Sequence, residues 1–194
     1  MGEPVWALAT RFPRQGEWSE ADYLALPDAF PRVELSDGCL EVLPMPTHQH
    51  QAALTAILLV LAALAKVRGG WALPAGIRVR LRDGRFREPD VALLLGRDAH
   101  LRSDAYWLGA SLVVEVVSGS SEDRTRDLVT KRREYAEAAI PETWIVDLEK
   151  DRISVLALDG AAYRDHLAVD ADGEVRSATI EGLAFAARDV LRTG

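Results

Sequence analysis

The sequence predicts an α/β fold in which a mixed β-sheet is flanked by helices. Two short apolar runs, residues 91–95 and Leu112–Val117, are typical of central strands that are covered on both faces. A helix-forming segment follows the second run, and another strand-like segment follows at residues 144–149, which is the order of a parallel crossover. Asp-Gly pairs between other strand-like segments indicate antiparallel hairpins. The combination predicts a sheet that contains both strand orientations.

Length and composition limit the classes of protein. With 194 residues, 48% of them hydrophobic, the chain can bury one sizeable core, and we expect a single domain over residues 1–194. Its formal net charge is -7, so any binding of nucleic acid requires a local basic patch. Cys39 is the only cysteine, which excludes an internal disulfide and a cysteine-based zinc cage. We therefore expect a cytoplasmic protein.

The first half of the chain predicts two helices separated by a hairpin. Ser19 can cap a short helix over residues 20–26, and the pair Asp37-Gly38 then provides a hairpin turn. The next helix, over residues 49–67, is rich in Ala and Leu and has almost no polar face. Its longest apolar run is shorter than the ~18 residues of a spanning helix, so we expect a core or interface helix and no membrane partner. A helix apolar on all sides needs extensive cover, which predicts a homodimer.

The second half predicts further hairpins and the crossover. A hairpin turns at Asp83-Gly84, and the apolar strand over residues 91–95 follows. After Leu112–Val117 we expect a helix over residues 123–139 and then two strands that form a hairpin. Further hairpin turns are expected at Asp159-Gly160 and Asp172-Gly173, with short strands and a terminal helix towards the end of the chain.

A carboxylate interrupts the second apolar strand. Strand alternation places Val113, Glu115 and Val117 on one face. An ionised carboxylate inside an apolar strand is costly unless it is protonated, paired with a cation or bound to a metal. Two interpretations of Glu115 therefore remain: a structural ion pair with an arginine, or a metal ligand.

Asp90 lies directly before the other apolar strand. By itself this is a weak signal, because an Asp at the entrance of a strand is more often a turn residue than a metal ligand. If the two strands are neighbours, however, Asp90 and Glu115 approach each other, and two such carboxylates repel unless a cation joins them. Oxygen ligands of this kind favour Mg²⁺ or Mn²⁺.

Lys131 is predicted to share the inward face of the helix over residues 123–139. Leu128 and Tyr135 lie on the same stripe by their spacing. A lysine there can orient a water molecule or stabilise charge that develops on a phosphate. The alternative is a surface salt bridge between Asp127 and Lys131, which contributes little energy.

The ordered set of these residues resembles the Uma family of restriction endonucleases, within the PD-(D/E)xK superfamily. The resemblance covers residues 22–191 and rests on six segments, which contain Glu34 in VELSDG, His50 in HQHQ, Pro89-Asp90, Glu115 in LVVEVVS, Asp127 to Lys131 to Tyr135, and PETWIVD. It implies a restriction-endonuclease-like fold. It also implies that Asp90 and Glu115 ligate the metal together with the backbone carbonyl of Val116.

The resemblance assigns further positions near the metal. Glu34 would lie on a helix or strand close to it, and His50 would be a site-rim or helix-start residue rather than a ligand. The superfamily places its lysine two residues after the second carboxylate, where this sequence has Val117. The resemblance implies that Lys131, from the following helix, reaches the same point in space.

Three arginines alternate along the strand that leads towards Asp90. Arg78, Arg80 and Arg82 would place their guanidinium groups on one face, and Arg124 extends the basic surface near the lysine. Such a stripe could hold nucleic acid phosphates without reading sequence. The alternative is a solvated strand surface whose arginines pair with some of the 30 acidic residues.

The sequence therefore predicts a Mg²⁺-dependent or Mn²⁺-dependent endonuclease that hydrolyses phosphodiester bonds of DNA. A catalytically inactive DNA-binding or regulatory module with the same fold is the main alternative, favoured by Val117 and the acidic net charge. A metal hydrolase of another phosphate ester is a third.

Overall fold

The computed structural model describes residues 12–27, 32–117 and 124–193. The helices are α1 (Glu20–Leu24), α2 (His48–Arg68), α3 (Arg132–Glu137) and α4 (Arg188–Leu191). The strands are β1 (Val33–Ser36), β2 (Cys39–Val42), β3 (Trp71–Pro74), β4 (Val79–Arg82), β5 (Arg85–Arg87), β6 (Val91–Leu94), β7 (Leu112–Val117), β8 (Glu142–Asp147), β9 (Arg152–Asp159), β10 (Ala162–Val169), β11 (Glu174–Arg176) and β12 (Ala184–Ala186). A 3₁₀-helix spans Gly96–Leu101, and a π-helical segment, Arg126–Lys131, runs directly into α3.

The central sheet is mixed, as predicted. Its six strands have the order β10-β9-β8-β7-β6-β3. The strands β7 and β8 are parallel, and every other neighbouring pair in this sheet is antiparallel. The parallel pair is joined by the crossover that contains α3, which confirms the expected strand-helix-strand unit. Four further strands form a separate antiparallel sheet, β2-β1-β5-β4, which the sequence did not predict as a separate layer.

Strand alternation in β7 divides the interior into two cores. Leu112, Val114 and Val116 pack in the core that contains α2 and the end of the chain. Val113 and Val117 pack on the opposite face, in the core that contains Tyr135 and Ala136 of α3. The carboxylate between them therefore projects under the crossover helix rather than under α2.

Helix α2 covers one face of the sheet. It begins after Thr47, whose hydroxyl accepts a hydrogen bond from the backbone amide of His50. By length and composition alone this helix could cross a membrane. One of its faces is nevertheless buried in the core, where Ile57 and Leu61 are fully covered. It is therefore a core helix, as expected.

The outer side of α2 remains apolar. Leu59 and Val67 are 67% and 82% exposed. The homodimer stays a prediction, and sedimentation of a monomer at micromolar protein concentration would contradict it.

Three of the Asp-Gly pairs turn hairpins. Asp37 and Gly38 both have positive φ, 48° and 81°, which suits a two-residue turn between β1 and β2. The prediction of a fourth hairpin at Asp172-Gly173 was wrong, because this pair joins β10 to β11, which belong to different sheets. An Asp-Gly pair specifies a local turn, whereas strand pairing depends on the segments that flank it.

Glu142 anchors the segment that follows β11 to the central sheet. Its side chain is fully buried on β8. Its carboxylate accepts hydrogen bonds from Trp144 Nε1 (2.6 Å), Ser177 Oγ (2.8 Å) and both donors of Thr179 (2.8 and 2.6 Å), as well as from a further backbone amide. The many donors aimed at one group explain why a charged side chain is stable there.

Replacement of Glu142 by Gln should lower the free energy of unfolding by roughly 2–4 kcal/mol, because an amide NH₂ would face donors instead of accepting from them. Urea unfolding measures this change. Glu181→Gln is the control, since Glu181 is an exposed glutamate of the same region and its replacement should shift stability by less than about 0.5 kcal/mol. Equal stability of the two variants would contradict the anchoring role.

Candidate active site

The predicted carboxylates meet where β6 begins and β7 ends. The antiparallel register pairs Val91 with Val114, and one further step places Asp90 opposite Glu115. Asp90 and Glu115 are 7% and 2% exposed, and both line a cavity of about 80 Å³. One water molecule requires roughly 10–15 Å³ of such space, so the cavity has room for several.

Asp90 is held by two donors. Its Oδ1 lies 3.1 Å from His50 Nε2, and its Oδ2 accepts a hydrogen bond of 2.8 Å from the backbone amide of Val116. Burial alone would raise the pKa of Asp90, but the hydrogen bond and charge of His50 and the charge of Lys131 lower it below its ordinary value. Asp90 is therefore ionised. His50, which the sequence placed only at the rim of the site or at a helix start, orients this carboxylate.

Glu115 has the opposite electrostatic character. Burial raises its pKa to about 8; the charge of Lys131 opposes this rise, and the charges of Asp127 and Asp90 add to it. Both oxygens of Glu115 lie 3.2 Å from Lys131 Nζ, and the phenol of Tyr135 donates a hydrogen bond to Oε1. Glu115 is thus held in place by Lys131 and Tyr135, in surroundings where burial disfavours its ionised form.

Lys131 faces inward, as the helical spacing predicted. The side chain is 3% exposed, and Nζ lies 3.2 Å from Glu34 and 3.5 Å from Asp127, in addition to its contact with Glu115. Burial lowers the pKa of Lys131, but the surrounding carboxylates, Glu115 first, raise it above its ordinary value. The Asp127–Lys131 pair exists, yet it is buried and belongs to the cavity, so the alternative of a surface salt bridge is wrong.

Glu34 connects the small sheet to this cluster. It is fully buried on β1 and accepts hydrogen bonds from the Glu88 amide (2.9 Å) and from Arg87 Nη1 (3.0 Å). Burial would raise the pKa of Glu34, but Lys131 and Arg87 lower it. Arg87 also pairs with Glu134 of α3, so this guanidinium is an internal link between the small sheet and the crossover helix.

Glu88 and Arg32 line the cavity and were not among the predicted site residues. Glu88 is 5% exposed and lies two positions before Asp90, and Arg32 pairs with it at 3.3 Å. Burial raises the pKa of Glu88, although Arg32 lowers it. The available signal was strand spacing, because positions 88 and 90 share a side of an extended chain.

The predicted nucleic-acid-binding arginines are paired with acidic side chains of this chain. Arg78 Nε is 3.8 Å from Glu88, and Arg80 Nε is 3.0 Å from Glu20. Arg82 pairs with Asp37 at 2.8 Å, and Arg124 binds both oxygens of Asp147 at 3.1 and 2.6 Å. A register irregularity between Arg80 and Arg82 also interrupts the strict alternation. The pairs favour a salt-paired surface, and phosphate binding by these arginines stays a prediction.

The carboxylate pair is chemically suited to a divalent cation. Within residues 12–27, 32–117 and 124–193, no three His, Cys, Asp or Glu side chains are arranged to hold a metal ion by themselves. Mg²⁺ requires less, because it usually takes one or two carboxylates and keeps several waters. Asp90 and Glu115, with space for water beside them, fit this requirement. Val116 lines the same cavity, and ligation by its carbonyl stays a prediction.

The mixed α/β sheet, with adjacent carboxylates where two central strands meet and a buried lysine above them, defines the class of nuclease-like α/β proteins. The chain belongs to the Uma2 family, described as "putative restriction endonuclease", whose model matches residues 20–188. A crystal structure of a "putative nuclease belonging to DUF820" from Anabaena variabilis has the same fold, with a TM-score of 0.73 at 16% identity, over 91% of this chain and 98% of that one. Curated proteins show no significant match.

The family supports assignment as a nuclease, which implies a nucleic acid substrate. They confirm the family resemblance and the restriction-endonuclease-like fold that the sequence predicted. Members of such families generally use divalent metal ions.

Proposed function

We propose that the protein is a metal-dependent endonuclease that hydrolyses phosphodiester bonds of DNA at the cavity beside Asp90 and Glu115. The observation that carries this proposal is the juxtaposition of these two buried carboxylates with the ammonium of Lys131. A Mg²⁺ or Mn²⁺ ion bound there would lower the pKa of a water molecule and shield phosphate charge.

Different residues of this chain would bind the cation, orient its ligands and stabilise charge on the phosphate. Asp90 and Glu115 would hold the cation, and the hydrogen bond with His50 keeps Asp90 oriented. Tyr135 fixes Glu115 from the opposite side. Lys131 supplies a positive charge next to the reacting phosphate, where it stabilises the charge that develops on the phosphate oxygens.

The contacts of Lys131 bear on the alternative of an inactive module. Val117 occupies the usual lysine position and favours loss of activity. Lys131, however, reaches Glu115 from the following helix at 3.2 Å, which supplies an ammonium beside the second carboxylate. This contact favours the active enzyme.

Nicking of supercoiled plasmid tests the proposal. The purified protein should convert the plasmid to open circles in Mg²⁺ or Mn²⁺ and not in EDTA. Glu115→Gln, purified in the same way, is the control for a contaminating nuclease and should not nick. Binding of plasmid without nicking in either metal would instead support the inactive module.

Metal binding should release a proton at neutral pH. The pKa of Glu115 is raised to about 8, so its carboxyl is mostly protonated at pH 7 in the absence of metal. A metal ligand must be deprotonated, and binding therefore expels this proton. We expect Mn²⁺ affinity to rise with pH, by up to about tenfold per unit below pH 8, and to level off above it.

Isothermal titration in two buffers of different ionisation enthalpy counts the released protons. The expected count approaches one at pH 6.5 and falls towards zero above pH 9. Glu142→Gln is the control and should release the same number, because Glu142 lies outside the cavity. Binding of Mn²⁺ at pH 6.5 without proton release would show that Glu115 is not a ligand.

A further inference from the structure

The cavity has an acidic interior. Glu88, Asp90, Glu115 and Asp127 line it, and the ammonium of Lys131 is already in contact with buried carboxylates. An entering phosphodiester is therefore repelled unless a cationic side chain meets it at the mouth. Among the described residues, two arginines line the cavity, Arg32 and Arg126.

Arg32 is the more open of these two guanidinium groups. Its side chain is 32% exposed, against 21% for Arg126, which lies 3.4 Å from Asp127. Nε of Arg32 donates to Glu88 Oε2 at 3.3 Å, and Nη2 lies 3.5 Å from the Glu88 carbonyl. Nη1 makes no hydrogen bond or ion pair with any residue of the described ranges.

One edge of this guanidinium is thus held and another is available. Glu88, which is 5% exposed, fixes the held edge, and the guanidinium plane carries five donors in a rigid fork. That fork matches the oxygens of a phosphate. Arg80 and Arg82 differ from Arg32 in position, because neither of them lines the cavity.

We infer that Arg32, held by Glu88, is the guanidinium that binds a nucleic acid phosphate at the mouth of the cavity. The inference rests on the proposed function and adds to it the residue that receives the anionic backbone. It places this contact outside the stripe of Arg78, Arg80 and Arg82 that the sequence predicted.

Arg132 provides a matched control. Its side chain is 38% exposed, pairs with Asp165 at 3.4 Å and donates to the Tyr163 carbonyl at 3.2 Å, so it resembles Arg32 in exposure and partners but lies outside the cavity. Arg32→Gln and Arg132→Gln remove the same charge. A third variant, Arg32→Lys, keeps the charge and loses the fork.

The experiment measures binding of a fluorescein-labelled 20-base-pair DNA duplex by anisotropy in EDTA, over a series of salt concentrations. Arg32→Gln should weaken binding about tenfold and lower the slope of log affinity against log salt by roughly 0.9, the value for one lost phosphate contact. Arg32→Lys should fall between wild type and Arg32→Gln. Arg132→Gln should change the affinity by less than about twofold, and thermal melts should show all variants folded.

The outcomes separate this inference from the proposed function, because binding in EDTA does not require cleavage. Equal effects of Arg32→Gln and Arg132→Gln would overturn the inference, and plasmid nicking by the wild type would still support the nuclease. Selective loss in Arg32→Gln would support the inference even if no metal permits nicking. A wild-type protein without salt-dependent binding of the duplex would overturn it as well.

Discussion

Asp90→Asn is expected to lower the rate of DNA cleavage by about 10²–10³-fold or more and to weaken Mn²⁺ binding by at least about tenfold. Asp90 is the ionised member of the carboxylate pair, because the hydrogen bond and charge of His50 and the charge of Lys131 lower its pKa despite burial. Asparagine removes the charge but keeps a carbonyl oxygen for the amide of Val116. The fold should therefore persist while the cation loses a ligand.

Two measurements on the same samples decide this prediction: Mn²⁺ titration by calorimetry and single-turnover cleavage at saturating metal. Glu142→Gln is the matched control, since Glu142 is an equally buried sheet carboxylate outside the cavity. It should lose stability and retain Mn²⁺ affinity. Unchanged Mn²⁺ affinity in Asp90→Asn would show that Asp90 is not a ligand.

Lys131→Met should reduce turnover by about 10²-fold or more, the scale of losing one preorganised electrostatic group. It should also lower stability by roughly 3–5 kcal/mol, because Glu34, Glu115 and Asp127 would lose the buried ammonium that they share. Saturating Mn²⁺ should restore part of the lost melting temperature, because the cation binds the folded state beside the same carboxylates.

Lys131→Arg separates the chemistry from the stability. It keeps a positive charge among the carboxylates, so its stability should lie closer to wild type, but a planar guanidinium does not reproduce a compact ammonium and turnover should stay low. Single-turnover cleavage below the melting temperature of each variant, beside urea unfolding, provides the comparison. Full activity of folded Lys131→Met would exclude a catalytic role for Lys131.

The apolar runs made the centre of the fold predictable. The strand over Leu112–Val117 has one charged residue, and its other residues are apolar. This pattern predicted that the strand is buried, and strand alternation predicted the face on which Glu115 lies. The inward direction of Lys131 followed from helical spacing with Leu128 and Tyr135, although the segment Arg126–Lys131 is π-helical rather than α-helical. The predicted helix start at Asp123 lies outside the described residues.

Long-range pairing was less accessible from the sequence. Strand alternation predicts the side on which an arginine projects, but it does not predict the acidic side chain with which the arginine pairs. Arg80, for example, pairs with Glu20, which is 60 positions away in the sequence. Arg87, likewise, is 1% exposed and pairs with both Glu34 and Glu134, which come from different elements. Both outcomes depend on how the small sheet packs against α1 and α3, which local patterns do not encode.

A cation bound between Asp90 and Glu115 is the central element of the proposed function. Anomalous diffraction from crystals of the protein soaked in Mn²⁺ tests this directly. The expected result is an anomalous peak within about 2.5 Å of a carboxylate oxygen of each residue, and no such peak in crystals of Asp90→Asn soaked in the same way. A Mn²⁺ peak elsewhere in the molecule, or none in the wild-type cavity at a concentration that supports nicking, would contradict it.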